Sequence, residues 1–242
     1  MSIASEISRL MGDSLAIAQA IEAKGVTVPQ GSGFDDYASL ISQISGGGGE
    51  PLYTPVEYIE FSGTQYLCTW IVPNQATNYD ITVMPKGGTT FKTVISSRYA
   101  TNSRRFDLMF GNLSTADSQI YYGYNNGSIT TYNGSPLTNH LLRFVKSGNN
   151  LKTYDSGTQI TNNNATTASF TAPLPIVIGA SNTNGTIANF FIGRIYEITI
   201  GGVTFRPVRI NGVGALLDTS SGAILYNSGT GTISYGPDLT TV

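Results

Sequence analysis

Two hydrophobic periods divide this chain. Over residues 3–24, Ile3, Ile7, Leu10, Ser14, Ile17 and Ile21 recur at alternating spacings of four and three, the stripe that an α-helix gathers onto one face. Three heptads span only about 30 Å at roughly 1.5 Å per residue, too little for a helix to hold alone. The stripe therefore predicts either self-association through an a/d seam or packing on a short partner in the same chain. Gly25 supplies a C-cap, Val26-Thr27-Val28-Pro29 reads as extended, and a second amphipathic helix starts near Phe34. Its apolar side carries Phe34, Tyr37, Leu40, Ile41 and Ile44, with Asp35 and Asp36 favouring its N-terminal end. Four consecutive glycines, Gly46 to Gly49, follow, and such a run takes no fixed conformation cheaply.

From Val56 onward the period switches to two, interrupted by turn residues at regular spacing, as in an antiparallel sandwich or barrel. Phe106, Leu108 and Phe110 alternate with Asp107 and Met109, so one face of that strand turns inward. Asn126-Gly127, between Tyr121-Tyr122-Gly123-Tyr124 and Ile129-Thr130-Thr131-Tyr132, is a hairpin signal. A second hairpin joins Leu142–Lys146 to Leu151–Tyr154 through Ser147-Gly148-Asn149-Asn150, and Ile176–Gly179 and Ile192–Ile200 read as strands around a polar loop, Ala180 to Asn189. The expected organisation is a helical docking or oligomerisation module over 1–45, a flexible linker over 46–55 and a mainly β sandwich over 56–242.

Composition sharpens that picture. Only 12% of the residues are charged, and the formal net charge is -2. The cations are scattered, so no footprint for nucleic acid emerges; Arg104-Arg105 reads as two solvated charges beside a strand. Cys68, the single cysteine, excludes an intrachain disulfide, and its apolar neighbours suggest a buried, inert thiol; Trp70 is likewise read as core. No apolar run approaches the roughly 20 residues of a membrane span, and the first residues do not read as a signal peptide. The expected protein is made in the cytoplasm and does not insert into membranes. Without a secretory leader, the five sequons at Asn112, Asn126, Asn133, Asn164 and Asn184 predict no glycans.

Candidate chemistry is sparse on the catalytic side. Glycoside hydrolysis needs two carboxylates within about 5 to 9.5 Å, and no Glu-x-Asp-x-Glu strand motif occurs; between Glu60 and Glu197 there is no glutamate. His140, the one histidine, precedes a strand with no Gly-x-Ser-x-Gly elbow near it. One Cys and one His cannot complete a tetrahedral zinc shell. Calcium is conceivable at a loop rim, but no dense acidic loop supports it, so no catalytic residue, metal or cofactor is expected. Sugar recognition is better supplied, since it uses aromatic faces with amides and hydroxyls. Tyr121, Tyr122, Tyr124 and Tyr132, with loop residues Asn125, Asn126, Asn182 and Asn184, are the candidate ligand-binding set. Each also fits an ordinary sheet or turn position.

Two stretches resemble a known family. Pro175-Ile176-Val177-Ile178-Gly179-Ala180 through Phe190-Phe191-Ile192-Gly193-Arg194-Ile195-Tyr196-Glu197 resembles the closing strands of laminin-G-like, concanavalin A-like jelly rolls. Tyr58–Leu67, Phe205-Arg206-Pro207-Val208-Arg209, Gly214–Asp218 and Gly229-Thr230-Gly231-Thr232 are similar to the versions of that domain in phage and prophage structural proteins. The head is similar to a short helical module at the ends of virion proteins, through Ser5–Leu10, Ala20–Pro29 and Asp36–Ile41, although Met11-Gly12-Asp13-Ser14 departs from the longer polar helix usual there. The resemblance implies a non-catalytic virion surface protein, of tail-fibre or receptor-binding type. Its lectin-like sandwich would adhere to host-surface or environmental glycans. Ile3, Ile7, Leu10, Ile17, Ile21, Phe34, Tyr37, Leu40 and Ile44 would dock it to other virion proteins or assemble it, by analogy with fibres, as a homotrimer. A capsid decoration or head-fibre protein, a polysaccharide hydrolase and a bacterial adhesin stay open as alternatives.

Overall fold

The computed structural model describes residues 10, 13–14, 17–22, 24–29, 31–42, 53–88, 90–100, 103–113, 118–134, 136–165 and 169–239. The chain divides into two compact units, residues 1–51 and 52–242. Ile3, Ile7, Ile44 and the run Gly46–Gly49 lie outside the described residues.

In the first unit, helix α1 (Phe34–Ser42) packs on the helical segment 17–22. Ile21, Val26, Tyr37 and Leu40 are buried together, with Ile17, Ala18 and Val28 against them. The seam position Ser14 has a polar role: the Tyr37 hydroxyl donates to its carbonyl oxygen at 2.9 Å. Gly25 takes the left-handed conformation, φ +83°, at the end of the first helical segment, as a C-cap requires. Asp36 Oδ2 accepts the Gly33 N–H at 2.9 Å, half of a capping box at the start of α1. Of the two readings of the stripe, packing on a partner within the chain is the one these contacts show. Leu10, Phe34 and Ile41 remain exposed.

The second unit is a β-sandwich. Its first sheet runs in the order β11 (Thr158–Asn164), β10 (Asn150–Asp155), β9 (Leu142–Ser147), β4 (Tyr79–Pro85), β15 (Ile192–Ile200), β16 (Val203–Ile210), β17 (Val213–Asp218), β18 (Ile224–Leu225). Three short strands join it: β2 (Ile59–Ser62) beside β15, β19 (Ser234–Tyr235) beside β2, and β1 (Thr54–Pro55) beside β16. The second sheet runs β3 (Leu67–Cys68), β12 (Val177–Ile178), β5 (Lys92–Ser97), β6 (Arg105–Gly111), β7 (Ser118–Asn125), β8 (Gly127–Gly134). A separate hairpin, β13 (Ser181–Thr183) with β14 (Thr186–Ala188), replaces the polar loop expected between Ala180 and Asn189. Pairing between the named strands is antiparallel throughout.

The core lies between the sheets because alternate residues of each strand point into one slab. Tyr79 on β4 meets Phe106 on β6 edge-on at 5.8 Å, and Phe144 on β9 meets Phe110 and Tyr122 at 5.6 and 6.3 Å. Bulges reset the alternation where the sequence breaks it. The register shift between Ile195 and Glu197 lets Ile195, Ile198 and Ile200 all reach the core. An extra residue of β8, opposite the Ile120–Tyr121 step, does the same for Ile129 and Tyr132.

Three expectations are corrected. Cys68 is exposed, because β3 turns Leu67 inward and leaves the thiol on the outer face. Trp70 is about half exposed and lies edge-on to Phe205 at 5.7 Å. The β7–β8 turn is Asn125-Asn126, with Tyr124 paired to Gly127, one residue earlier than the Asn-Gly signal suggested; Asn125 carries the positive φ, +54°.

A candidate binding recess on the outer face of the second sheet

Strand β6 is buried on both faces. Phe106, Leu108 and Phe110 fill the core, whereas Arg105, Asp107 and Met109 point to the outer side and are nonetheless buried, at 3%, 3% and 6% exposure. The cover is the β13–β14 hairpin. Its two-residue turn, Asn184-Gly185, has positive φ at both positions, +48° and +89°, which matches the strand twist in a tight hairpin. It is tied down through Asn182, whose N–H donates to Ser96 Oγ at 3.2 Å and whose carbonyl accepts the Arg98 N–H at 3.1 Å. The Asn184 N–H donates back to the Arg98 carbonyl at 2.9 Å.

Between hairpin and sheet lies a recess of about 300 Å³. Arg98 and Arg105 line its floor, with the Asp107 carboxylate buried behind them. Arg105 grips Asp107 with both prongs, Nε to Oδ2 at 3.1 Å and Nη2 to Oδ1 at 3.0 Å. Arg98, 5% exposed, approaches the same carboxylate with Nε at 4.0 Å, an ion pair too long for a hydrogen bond. Its Nη2 donates to Met109 Sδ at 3.7 Å, and its buried Nε has no hydrogen-bond partner. Arginine stays protonated in proteins, so among the described residues two guanidiniums share one carboxylate, one positive charge in excess. Burial pulls the Arg98 guanidinium below its ordinary range, Asp107 opposes that, and Arg105 adds to it. Gly123 faces Asp107 across the β6–β7 pair, and a Cβ there would fall on the carboxylate. One wall is aromatic: Phe91 and Tyr121 meet edge-on at 5.2 Å. The hairpin wall offers Ser181, Thr183, Thr186 and Asn189.

Of the tyrosines and asparagines expected to bind ligand, Tyr121 alone lines this recess. Tyr122 is buried in the core, 1% exposed, with its hydroxyl 2.5 Å from Thr153 Oγ1 and its acidity weakened by burial to a pKa of about 12. Tyr124 is buried against Phe170 and donates to the Gln75 carbonyl at 2.9 Å; Tyr132 packs on the core. Strand alternation puts all three on the inner face, so these assignments are withdrawn. Asn125 and Asn126 form one turn and Asn184 another, and Asn182 is spent as the hairpin tie, its Oδ1 accepting the Gly185 N–H at 3.0 Å. The expectation that Arg104-Arg105 are two solvated charges holds for Arg104, which is exposed over the Tyr99 ring at 4.6 Å. It fails for Arg105. Arg98, Arg105 and Asp107 were not anticipated; the readable signal was a charge two residues from another on β6, opposite a glycine.

Elsewhere, His140 Nδ1 lies 2.7 Å from Asp155 Oδ2. Among the described residues no three His, Cys, Asp or Glu side chains gather where a metal could sit, and no helix is long and apolar enough to cross a membrane. A groove of about 420 Å³ beside β15–β17 brings Glu57 and Glu197 to one lining, with Glu197 paired to Arg206 at 3.4 Å. A wider, mostly apolar recess of about 530 Å³ in the first unit is lined by Leu10, Ala18, Val28, Phe34 and Tyr37, among others.

Two antiparallel sheets with this packing make a jelly-roll β-sandwich, the fold of concanavalin A-like and laminin-G-like domains. No family model and no curated protein sequence matches the chain. Among solved structures, a Bacteroides ovatus protein provisionally named as carbohydrate-binding superposes with a TM-score of 0.51 at 12% identity, covering 76% of this chain and 60% of that one. The native heptameric SAP-like pentraxin of Limulus polyphemus matches at 0.47 and 13% identity, over 63% of this chain and 77% of its own. Domains LG4-5 of the mouse laminin α1 chain match at 0.42 and 7%, over 78% and 70%. At these identities the likeness is one of fold.

Proposed function

We propose that the sandwich is a non-catalytic carbohydrate-adhesion module carried on a virion surface, with residues 1–45 as its docking or oligomerising base. The observation that carries the adhesion reading is the recess on the second sheet. An aromatic pair, Phe91–Tyr121, stands beside guanidiniums, hydroxyls and an amide in a concavity the size of one sugar ring or two. The Bacteroides ovatus protein, similar in fold, is named for the same activity. The virion role is supported by the sequence resemblance of both units to phage structural proteins, and a trimeric fibre would multiply weak single-site binding through avidity.

The test is a glycan array with the full chain, repeated with Phe91→Ala and Tyr121→Ala. Binding that falls at least tenfold in both variants supports the recess; binding that both variants keep moves the site elsewhere, and no binding to any glycan overturns adhesion. Immunogold labelling of particles separates tail from capsid. Label on the capsid with no host-cell binding favours the decoration reading. The hydrolase alternative would have to use the groove that Glu57 and Glu197 line: shortening of a capsular or cell-wall polysaccharide that Glu197→Gln abolishes would establish it.

A further inference from the structure

The charge on the recess floor narrows the ligand. A fold needing only to bury an arginine would surround it with enough acceptors, because an unmet buried donor is costly and an unbalanced buried charge more so. Here Asp107 takes both prongs of Arg105 and stands 4.0 Å from Arg98 Nε, too far to accept a hydrogen bond, so Arg98 has a thioether as its acceptor and an Nε, enclosed away from solvent, that meets none. A buried hydroxyl, Thr93 Oγ1 on the residue paired with Met109, also lacks a partner. Arg98 lines the recess and the hairpin wall above it is hydroxyl-rich. The recess thus has two guanidiniums in its lining and, among the described residues, one carboxylate behind them, which leaves a cation in excess in a cavity otherwise shaped for a sugar.

We infer that the recess takes an acidic sugar, a uronic or nonulosonic acid, whose carboxylate is received by Arg98 while its ring lies along Phe91 and Tyr121. A carboxylate is planar, carries one negative charge and matches the fork of a guanidinium, which balances the single excess positive charge. This assignment rests on the adhesion reading and specifies it.

The experiment is calorimetric titration of the full chain with a glucuronate-containing hyaluronan hexasaccharide and with a sialic acid trimer. Each is compared with its carboxyl-reduced form, and a neutral oligosaccharide bearing one sulfate provides a further arm. At least one acid is expected to bind about tenfold or more tightly than its reduced form, the range of a charge-assisted hydrogen bond, and the arm that responds identifies the acid class. Arg98→Met is expected to erase that preference. Thr186→Glu, at an exposed position on the hairpin lip, is expected to weaken the acid several-fold without entering the buried cluster, so it reports even where Arg98→Met does not fold. Reduced sugars binding as tightly as the acids, or a preference surviving in Thr186→Glu and in folded Arg98→Met, would overturn the carboxylate assignment and leave adhesion standing. A sulfated sugar matching the acids would overturn it in favour of any monoanion. Absence of binding to every glycan on the array removes both readings together.

Discussion

The outer faces of the two sheets carry the same chemistry in opposite settings. On the first sheet Arg143 grips Asp80 through Nε at 2.8 Å and Nη2 at 2.5 Å, and Arg209 grips Asp238 at 2.7 and 2.8 Å. On the second sheet Arg105 grips Asp107 with the same two-pronged geometry. The first two pairs stand in water, each charge balanced by one other. The third lies under the β13–β14 hairpin, and a second arginine shares its carboxylate. A covering hairpin thus turns a surface pair into a buried group with a charge to spare. Energetically, surface pairs contribute roughly 0–1 kcal/mol each, whereas removing one partner of a buried pair costs about 3–5 kcal/mol.

The largest expected effect follows from removing the shared anion. Asp107→Asn removes the carboxylate that Arg105 grips and Arg98 approaches, and urea unfolding should show a loss of about 3–5 kcal/mol. Adding Arg98→Met should recover part of it, since one of the two like charges is then gone. A loss under about 1 kcal/mol would mean that the cluster is solvated, and the contrast between the faces would collapse. Gly123→Ala comes next. Its new Cβ would meet the Asp107 carboxylate, forcing it off the Arg105 fork, and overpacking of this kind costs about 1–3 kcal/mol. Alanine at an open position such as Gly127, where a Cβ would meet nothing, is the control.

A third buried cation sharpens the comparison because no carboxylate serves it. Lys146, on β9 and 1% exposed, donates to the carbonyls of Gln75, Thr77 and Gly148 at 3.1, 2.8 and 2.8 Å. Burial pushes its ammonium down to about 8 from an ordinary 10.5. Between those values the unfolded chain binds a proton that the folded chain has released, so stability rises with pH through that window. Three carbonyl acceptors favour the charged form, and about 1 kcal/mol is expected between pH 8 and 10. The rise should end near pH 10, where tyrosines of the unfolded chain ionise while Tyr79 and Tyr122, both raised by burial, keep their protons. Lys146→Met should flatten the rising limb and leave the falling one.

The fold was legible in the sequence and the recess was not, for one physical reason. Period-two alternation reports which residues share a face, and it placed Phe106, Leu108 and Phe110 together correctly. It does not report what covers the other face. The strand Ile192–Ile200 was read to its ends because nine residues of apolar and polar alternation with one bulge need no distant partner to explain them. Arg105 and Asp107 read as solvent-facing because the hairpin over that face comes more than seventy residues later, in a stretch whose polar sequence reads as a loop. Tyr122 and Tyr124 erred the other way: hydroxyls suggested a binding surface, but the strand turns both rings into the core, where Thr153 and the Gln75 carbonyl meet them. In the first unit the stripe showed its partner helix through Ile21, Tyr37 and Leu40.

The smallest effect is the one that separates burial from geometry. Arg143→Ala removes a fork at least as short as that of Arg105, with side chains of Arg143 and Asp80 that are 55% and 39% exposed. If hydrogen-bond geometry set the energy, this loss would rival that of Asp107→Asn. Because water screens both charges and solvates whichever one remains, the expected loss is under about 0.5 kcal/mol. It should shrink further between 0.05 and 1 M salt as the screening length falls from over 10 Å to about 3 Å. Salt should change the Asp107→Asn loss far less, since the Asp107 side chain is wholly buried and buried pairs are screened much less than exposed ones. Equal salt responses in the two variants would show that water and ions reach the Asp107 carboxylate itself, behind the arginines that line the recess.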